Sequence, residues 1–552
     1  MTNPIVKIQI NQIQAPAPNQ LQKTGALITQ GGTTLPIETY SLLTQLSDLT
    51  PLLAASLALT SLTWASAYGG QATATATVAH GVAINEQFVT TIAGALPAGY
   101  NGTFLATATG ASTFTYYLPV NPGTSTVSGN YSPRGVGDLV AAATSFFAQG
   151  ATQAVYVLEL GAGAPTAGVT ALTEFINNTA QKFYSYLVPR NWDANASFLA
   201  YLAQFQSTTA KTYFFITSNL QNYLLYTSGL FKDALVMVEA PVYRQWAQNS
   251  VTAAVWSAQI ATVTLTTPSG VSPGDTFTMQ GIVSTTIPGG FNGTFIALPG
   301  TTGTSLVYAV PGTTPGTYTS GGVLQLRRYA SAGVPPLEYS IAGPFQNTLN
   351  WTPSTVNRVP PLDFVVLDNA TPFPTPGNAA LIQTLDAANI NYVGTGSEGG
   401  ISNTILLEGH LMDGRPFNYW YSVDWLGING KQNVANAVIN GSQSKINPLY
   451  YNQDGINRLQ QALANTCATG IAAGLILGRV IPTRFNGPDF NANLDAGVYA
   501  GNCAVNAIPF TNYTKDNPSD YRFGVYNGLS VVMTPSRGFE SILINIEVTD
   551  FV

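Results

Sequence analysis

Residues 97–104 read PAGYNGTF and residues 288–295 read PGGFNGTF, so one stretch of chain occurs twice, about 190 residues apart. The likeness continues loosely on both sides. GVAINEQFV around Phe88 parallels GVSPGDTFT around Phe277, and STFTYYLP ending at Pro119 parallels TSLVYAVP ending at Pro311. In both segments, 71–131 and 261–324, short Thr, Val, Ala, Phe and Tyr runs alternate with Gly, Pro and Asn turns. That is strand-and-turn chemistry. Each segment carries a single formal charge, Glu86 in the first and Asp275 in the second. Two copies this far apart do not make a solenoid, which needs at least three stacked repeats. The reading is two all-β modules of common origin, inserted into a different scaffold.

That scaffold shows helix and strand texture. The spacing predicts a helix over 136–149, a buried strand over 154–160 and a helix over 169–187 carrying Leu172, Phe175, Ile176, Ala180, Phe183 and Leu187. A further helix over 197–206 and strands at 212–218 and 234–241 follow. Alternation of this kind implies an α/β layer with a largely parallel sheet. After the second module come Pro-rich connections, a helix near 377–388 and a long amphipathic helix over 455–478 capped by Gly478. Both chain ends alternate in strand fashion: Val6, Ile8 and Ile10 at the start, and Ile542, Ile544, Ile546 and Val548 at the end. These residues are expected to be inter-subunit strand arms.

Composition narrows the function. Of 552 residues, 20 are Lys or Arg and 26 are Asp or Glu, or 8% against roughly a quarter in ordinary soluble domains. The pI is about 5.0, which leaves no basic footprint for nucleic acid. Neutral polar surfaces of this kind pack against copies of themselves at little desolvation cost. No apolar run reaches the roughly 18 residues of a membrane span, and MTNPIVKIQINQIQAP is no secretory signal. Two cysteines, Cys467 and Cys503, form neither a disulfide framework nor a zinc site; they allow one bridge at most and read as two reduced thiols.

The chemical motifs dissolve on inspection. Gly394–Gly399 satisfies GxGxxG, but the ISNTILLEGHLMDG after it reads as strand and turn where a dinucleotide site needs a helix. His410, near Glu408 and Asp413, reads as a structural histidine at a sheet edge or turn; His80 reads as a surface residue. Asp413 and Asp424, beside Trp420 and Trp425, have the only sugar-hydrolase look, and packing is the simpler account. Without a signal peptide, the Asn-Gly-Thr sequences at 101–103 and 292–294 are turns. No catalytic, cofactor or metal residues are assigned, and the chain is not expected to be an enzyme.

The opening VKIQINQIQAPAPNQLQKTGALITQG, the core VTALTEFINNTAQKFYSYLVPR, the stretch 415–478 and the closing ILINIEVTDFV resemble contractile-tail sheath proteins of myophages, specifically the DUF3383-like tail sheath family. The resemblance is one of pattern over most of the core and excludes the two β modules. It implies an α+β multidomain chain, with an α/β sheath core, two inserted all-β modules and extended terminal strand arms. The expected divisions are an N-terminal arm at 1–22, core at 23–70 and 132–260, modules at 71–131 and 261–324, a C-terminal α+β part at 325–537 and a C-terminal arm at 538–552. It further implies stacked hexameric rings around a tail tube, whose contraction drives the tube through a host envelope. The partners would be other copies, the tube protein, and baseplate and tail terminator proteins, with no direct nucleic acid contact and no membrane insertion; the location would be the virion. The alternatives are another tail component, of the tube or baseplate, and a β-rich surface adhesin.

Overall fold

A computed structural model describes residues 21–66, 70–84, 86–118, 120–150, 154–179, 182–205, 212–219, 222–239, 249–267, 269, 271, 276–286, 290–310, 312, 314–324, 337–349, 361–374, 379–396, 403–477 and 504–538. Strands β1 (Gly25–Thr29) and β2 (Thr39–Leu43) precede six barrel strands: β3 (Leu57–Ala65), β4 (Gln71–Ala76), β5 (Gln87–Ala93), β6 (Gly102–Ala108), β7 (Thr113–Tyr117) and β8 (Asn130–Tyr131). Then come α1 (Arg134–Ala148), β9 (Val155–Glu159), α2 (Pro165–Asn178), β10 (Ser185–Leu187), α3 (Ala196–Phe205), β11 (Tyr213–Ser218) and β12 (Ala234–Val238). A second β unit holds β13 (Asn249–Ser257), β14 (Ile260–Leu265), β15 (Thr276–Gln280), β16 (Val283–Ser284), β17 (Gly293–Ile296), β18 (Ser305–Ala309), β19 (Tyr318–Ser320) and β20 (Val323–Leu324). The chain continues through α4 (Ala342–Leu349), α5 (Ala379–Ala387), the hairpin β21 (Tyr392–Gly396) and β22 (Asn403–Leu407), α6 (Phe417–Gln443) and α7 (Gln453–Ala472). It closes with β23 (Ala504–Ala507), α8 (Phe510–Asp516), α9 (Pro518–Phe523) and β24 (Leu529–Val532). The architecture is a mixed α+β multidomain one. Among the described residues, no helix is long and apolar enough to cross a membrane.

The central sheet runs β12-β11-β10-β1-β9-β2, parallel throughout except for β2 at its edge. Its strands are near-continuous apolar runs such as VYVLE and ALVMV, because both faces are covered. Leu27, Val157, Phe215, Leu235 and Met237 face one layer with residues of α1, α4 and α6. Ala26, Ile28, Leu158, Phe214 and Val236 face the other with residues of α2 and α3. The parallel sheet expected from the alternation is therefore present. The helix expected over 169–187 stops at Asn178, and Ser185–Leu187 is a buried strand whose apolar residues fit the helical period by coincidence. The helix expected to end at Gly478 ends at Ala472, where Gly474 turns left-handed (φ +73°).

The β modules start earlier than the repeat suggests. The first is a closed barrel in the order β3-β4-β7-β6-β5-β8, so it begins at Leu57 and not at 71. Gly70, expected at the junction, lies between two of its strands. The second has the same neighbours in the same order and begins at Asn249 and not at 261. The copies share individual bonds. Trp64 Nε1 donates to the Leu118 carbonyl (2.8 Å) and Trp256 Nε1 to that of Val310 (3.1 Å). Asn101 clasps the backbone N–H and C=O of Ala95 as Asn292 clasps those of Ile282. Register corrects one detail: Phe277 faces Phe295, whereas Phe104 faces Thr90, so Phe277 stands where Thr90 does and not where Phe88 does. A slip of two residues keeps the same face inward, so alternation cannot detect it.

The copies differ at one seam. In the first, β6 pairs with β7 through Ala106–Tyr116, Thr107–Thr115 and Ala108–Phe114. In the second only the Ala297–Tyr308 bridge remains, with Leu298 N still bonded to the Val307 carbonyl (2.7 Å) and Pro299 standing where Ala108 does. The copies also differ in attachment. The first barrel is welded to α1: Glu86 pairs with Arg134 (2.9 Å), and α1 passes so close to β5 that a Cβ on Gly137 would lie 2.0 Å from the Val89 oxygen. The described hydrogen bonds of the second unit all close within 249–324. Replacing 249–324 by a short Gly/Ser linker should leave the rest folded, whereas excising 71–131 strands β3 and should prevent folding; circular dichroism and gel filtration read both. Gly137→Ala should cost about 1–3 kcal/mol by overpacking. Gly427→Ala, in open space on α6, should gain up to about 1 kcal/mol. Thermal melts distinguish the two signs.

Candidate functional site

In doubly wound sheets, ligands bind beyond the carboxyl ends of the strands, where the strand order reverses. Counting only the parallel strands, the order here is 2-1-3-4-5, and the reversal lies between β1 and β10. The space there is lined by Ile28, Thr29, Gln30, Arg134, Gly135, Asp138, Pro189 and Asn191 and measures about 10 Å³, the room of one water.

Two charged side chains, Arg134 and Asp138, line it, and further charges lie around it. Glu86 of the barrel pairs with Arg134 at the start of α1 (2.9 Å). One turn on, Asp138 lies in the field of both Arg134 and Arg190; burial holds its carboxyl above the usual range, the two arginines oppose this, and Glu86 adds to it. Arg190, two residues past Val188, donates from Nε to Glu239 Oε2 (3.0 Å) and from Nη2 to Glu239 Oε1 (3.2 Å), and also to the Glu338 carbonyl oxygen. Its guanidinium lies 4.1 Å from the Tyr339 ring centre. Glu338 is buried and accepts from Ser340 Oγ (2.7 Å) and from Thr371 N (2.6 Å) and Oγ1 (2.7 Å). Burial also pushes Glu239 up, Arg190 opposes it, and Glu338 adds to the push. On the other side of β1, Glu159 accepts from the N–H groups of Gly31 (2.7 Å), Gly161 (2.8 Å) and Thr33 (3.0 Å), and from Thr33 Oγ1 (2.8 Å). Among the described residues the arrangement binds segments together, and the gap beside it is the size of one water.

Val6, Ile8, Ile10, Ile542, Ile544, Ile546 and Val548 lie outside the described residues, as does Cys503; Cys467 is buried. Gly394 and Gly396 belong to β21, paired antiparallel with β22, so the glycine motif does not open a helix. Asp413 and Asp424 do not form a pair across a cleft. Asp413 accepts from Trp420 Nε1 (2.8 Å), while Asp424 is fully buried and accepts from Tyr184 (2.9 Å) and Tyr213 (2.8 Å) hydroxyls beneath the sheet. His410 is buried, with Nδ1 3.1 Å from Glu408 Oε2. His80 is half-buried and not a surface residue: it lies between the Thr113 carbonyl (3.2 Å) and the Val82 N–H (3.1 Å), against Phe88 and Phe114. Among the described residues, no group of three or more His, Cys, Asp or Glu is placed to hold a metal ion.

The charged knot went unnoticed in the sequence because its members lie 48 to 148 residues apart. A signal was present: in a chain this poor in charge, Glu159, Arg190 and Glu239 each stand at or just beyond the end of an apolar strand. No protein-family model matches the sequence, and no curated protein matches it. Replacing Arg190 by Met leaves Glu239 buried without its cation and should cost on the order of 3 kcal/mol or more, read by urea denaturation. Glu86→Gln alters a carboxylate more exposed than Glu239 and should cost less than about 1 kcal/mol.

Proposed function

We propose that this chain is the structural subunit of a contractile phage tail sheath, assembling as stacked hexameric rings around a tail tube and driving that tube through a host envelope on contraction. The observation that carries the reading is the state of β23 and β24. Among the described residues these strands pair only with each other, and β24 lies just ahead of the alternating segment Ile542–Val548. A strand edge without a described partner, followed in sequence by an alternating segment, suits strand exchange between copies. Main-chain pairing of this kind tolerates rigid-body rotation of the cores and so keeps subunits linked while they slide.

Two further features favour an assembly role. Scarce charge lets large surfaces meet without desolvating ions, and the place where a doubly wound enzyme would hold its ligand is a gap the size of one water, lined by Arg134 and Asp138. The partners are other copies, the tube protein, and baseplate and terminator proteins, and no cofactor is needed. Negative-stain microscopy of the purified chain should show long hollow cylinders; discrete monomers at high concentration would contradict the proposal. Deleting 540–552 should leave a folded chain that does not polymerise, and normal cylinders from the truncated chain would exclude arm exchange.

A further inference from the structure

A second group of ionisable side chains lies away from the charged knot, where the hairpin β21–β22 meets the sheet edge. Asn391 fixes this junction: its Nδ2 donates to the carbonyls of Val236 (3.0 Å) and His410 (2.8 Å), and its Oδ1 accepts from His410 N (2.9 Å). Residues 362–364 form a turn, left-handed at Phe364 (φ +66°), and the segment is held to β22 by the Val366–Ile405 bridge, with Phe364 N bonded to the Leu406 carbonyl (2.9 Å), Leu406 N to that of Val365 (2.9 Å) and Leu367 N to that of Thr404 (2.9 Å). At the end of β22 the backbone turns left-handed at Glu408 (φ +80°) and Gly409 (φ +61°). A Cβ on Gly409 would lie 2.5 Å from Asp363 N, so the turn presses directly on Asp363.

We propose that this bridged segment is an acid-sensitive latch, docked firmly on β22 when Asp363 is protonated and loosened when it ionises. The inference does not depend on the sheath reading. Asp363 Oδ1 is sealed from solvent and has no hydrogen-bond partner among the described residues. The described groups facing it are Glu408 and His410 beyond β22, with Asp386 of α5 and Tyr392 of β21 in the same cluster. Ionised, Asp363 is a half-buried anion beside the Glu408 carboxylate; protonated, it removes both the desolvation cost and the repulsion. Burial first, then Glu408, push its carboxyl up to about 6, against the partial opposition of His410 and two backbone N–H groups. The docked form thus holds the proton more tightly than the undocked one. Docking is favoured below the docked-state value and is lost as pH rises through about 6.

The test is hydrogen exchange on the full chain at pH 5.5 and 7.5, corrected for intrinsic rates, with α1 peptides as the reference. Peptides covering 361–368 and 403–410 should open about fourfold less at pH 5.5, the factor that a shift from 3.8 to about 6 produces over that interval. Asp363→Asn should stay closed at both pH values; a variant that keeps the fourfold dependence overturns the latch. Where that variant does not fold, the wild-type profile decides: a midpoint near pH 6 supports the latch, and a flat or reversed profile overturns it.

Discussion

Three stretches of chain far apart in sequence meet on the guanidinium of Arg190. It holds Glu239 at the exit of β12 in a two-bond fork, takes the Glu338 carbonyl, and lies over the ring of Tyr339, whose hydroxyl donates to Val188 (2.6 Å). A planar cation with five donors in fixed directions suits such a junction, where an ammonium would not. Through it the carboxyl ends of the parallel strands become a knot. The segment carrying Glu338 and Tyr339 leads directly into α4, which covers one face of the sheet, so the C-terminal half shares the core of the N-terminal half. A buried ion pair adds little net stability. Its effect lies in the penalty for misplacement, since any other docking of 338–349 leaves a buried charge unmatched.

Much of the fold was legible. The strands of the central sheet are apolar on both faces, and such runs stand out in any sequence. The duplication was visible because the Asn-Gly turn needs that side chain to clasp a backbone and that glycine for its φ near +150°. What escaped notice has identifiable causes. The 27 residues of α6 contain Gly427, Gly430 and Gly441 among several Asn, a composition that reads as loop, yet Gly430 and Gly441 are where Leu463 and Leu449 pack against the helix. Strand β3 was assigned to the core because its partners β4 and β8 lie across a turn and across the whole module. The charged residues escaped notice because ion pairs over such separations leave no periodic trace.

Polarity is distributed unusually in this chain. A few charges, Glu159, Glu338 and Asp424, are buried at interior junctions, while the first barrel carries a row of hydroxyls: Thr63, Thr73, Thr115 and Thr107 stand opposite one another across β3, β4, β7 and β6. Such a surface stays hydrated without carrying a field, so neither attraction nor repulsion at long range sets how two copies approach. Shape and short-range pairing are left to decide.

The seam that separates the two barrels has a mechanical meaning. A ladder of three paired residues must yield cooperatively when its strands are pulled apart, whereas a single bridge between Ala297 and Tyr308 can yield alone. Residues 249 and 324, where the second module is attached, pair with each other on the opposite side of the sheet from this bridge, so the weak seam can part without disturbing the attachment. The same fold is thus closed in one copy and open along one side in the other.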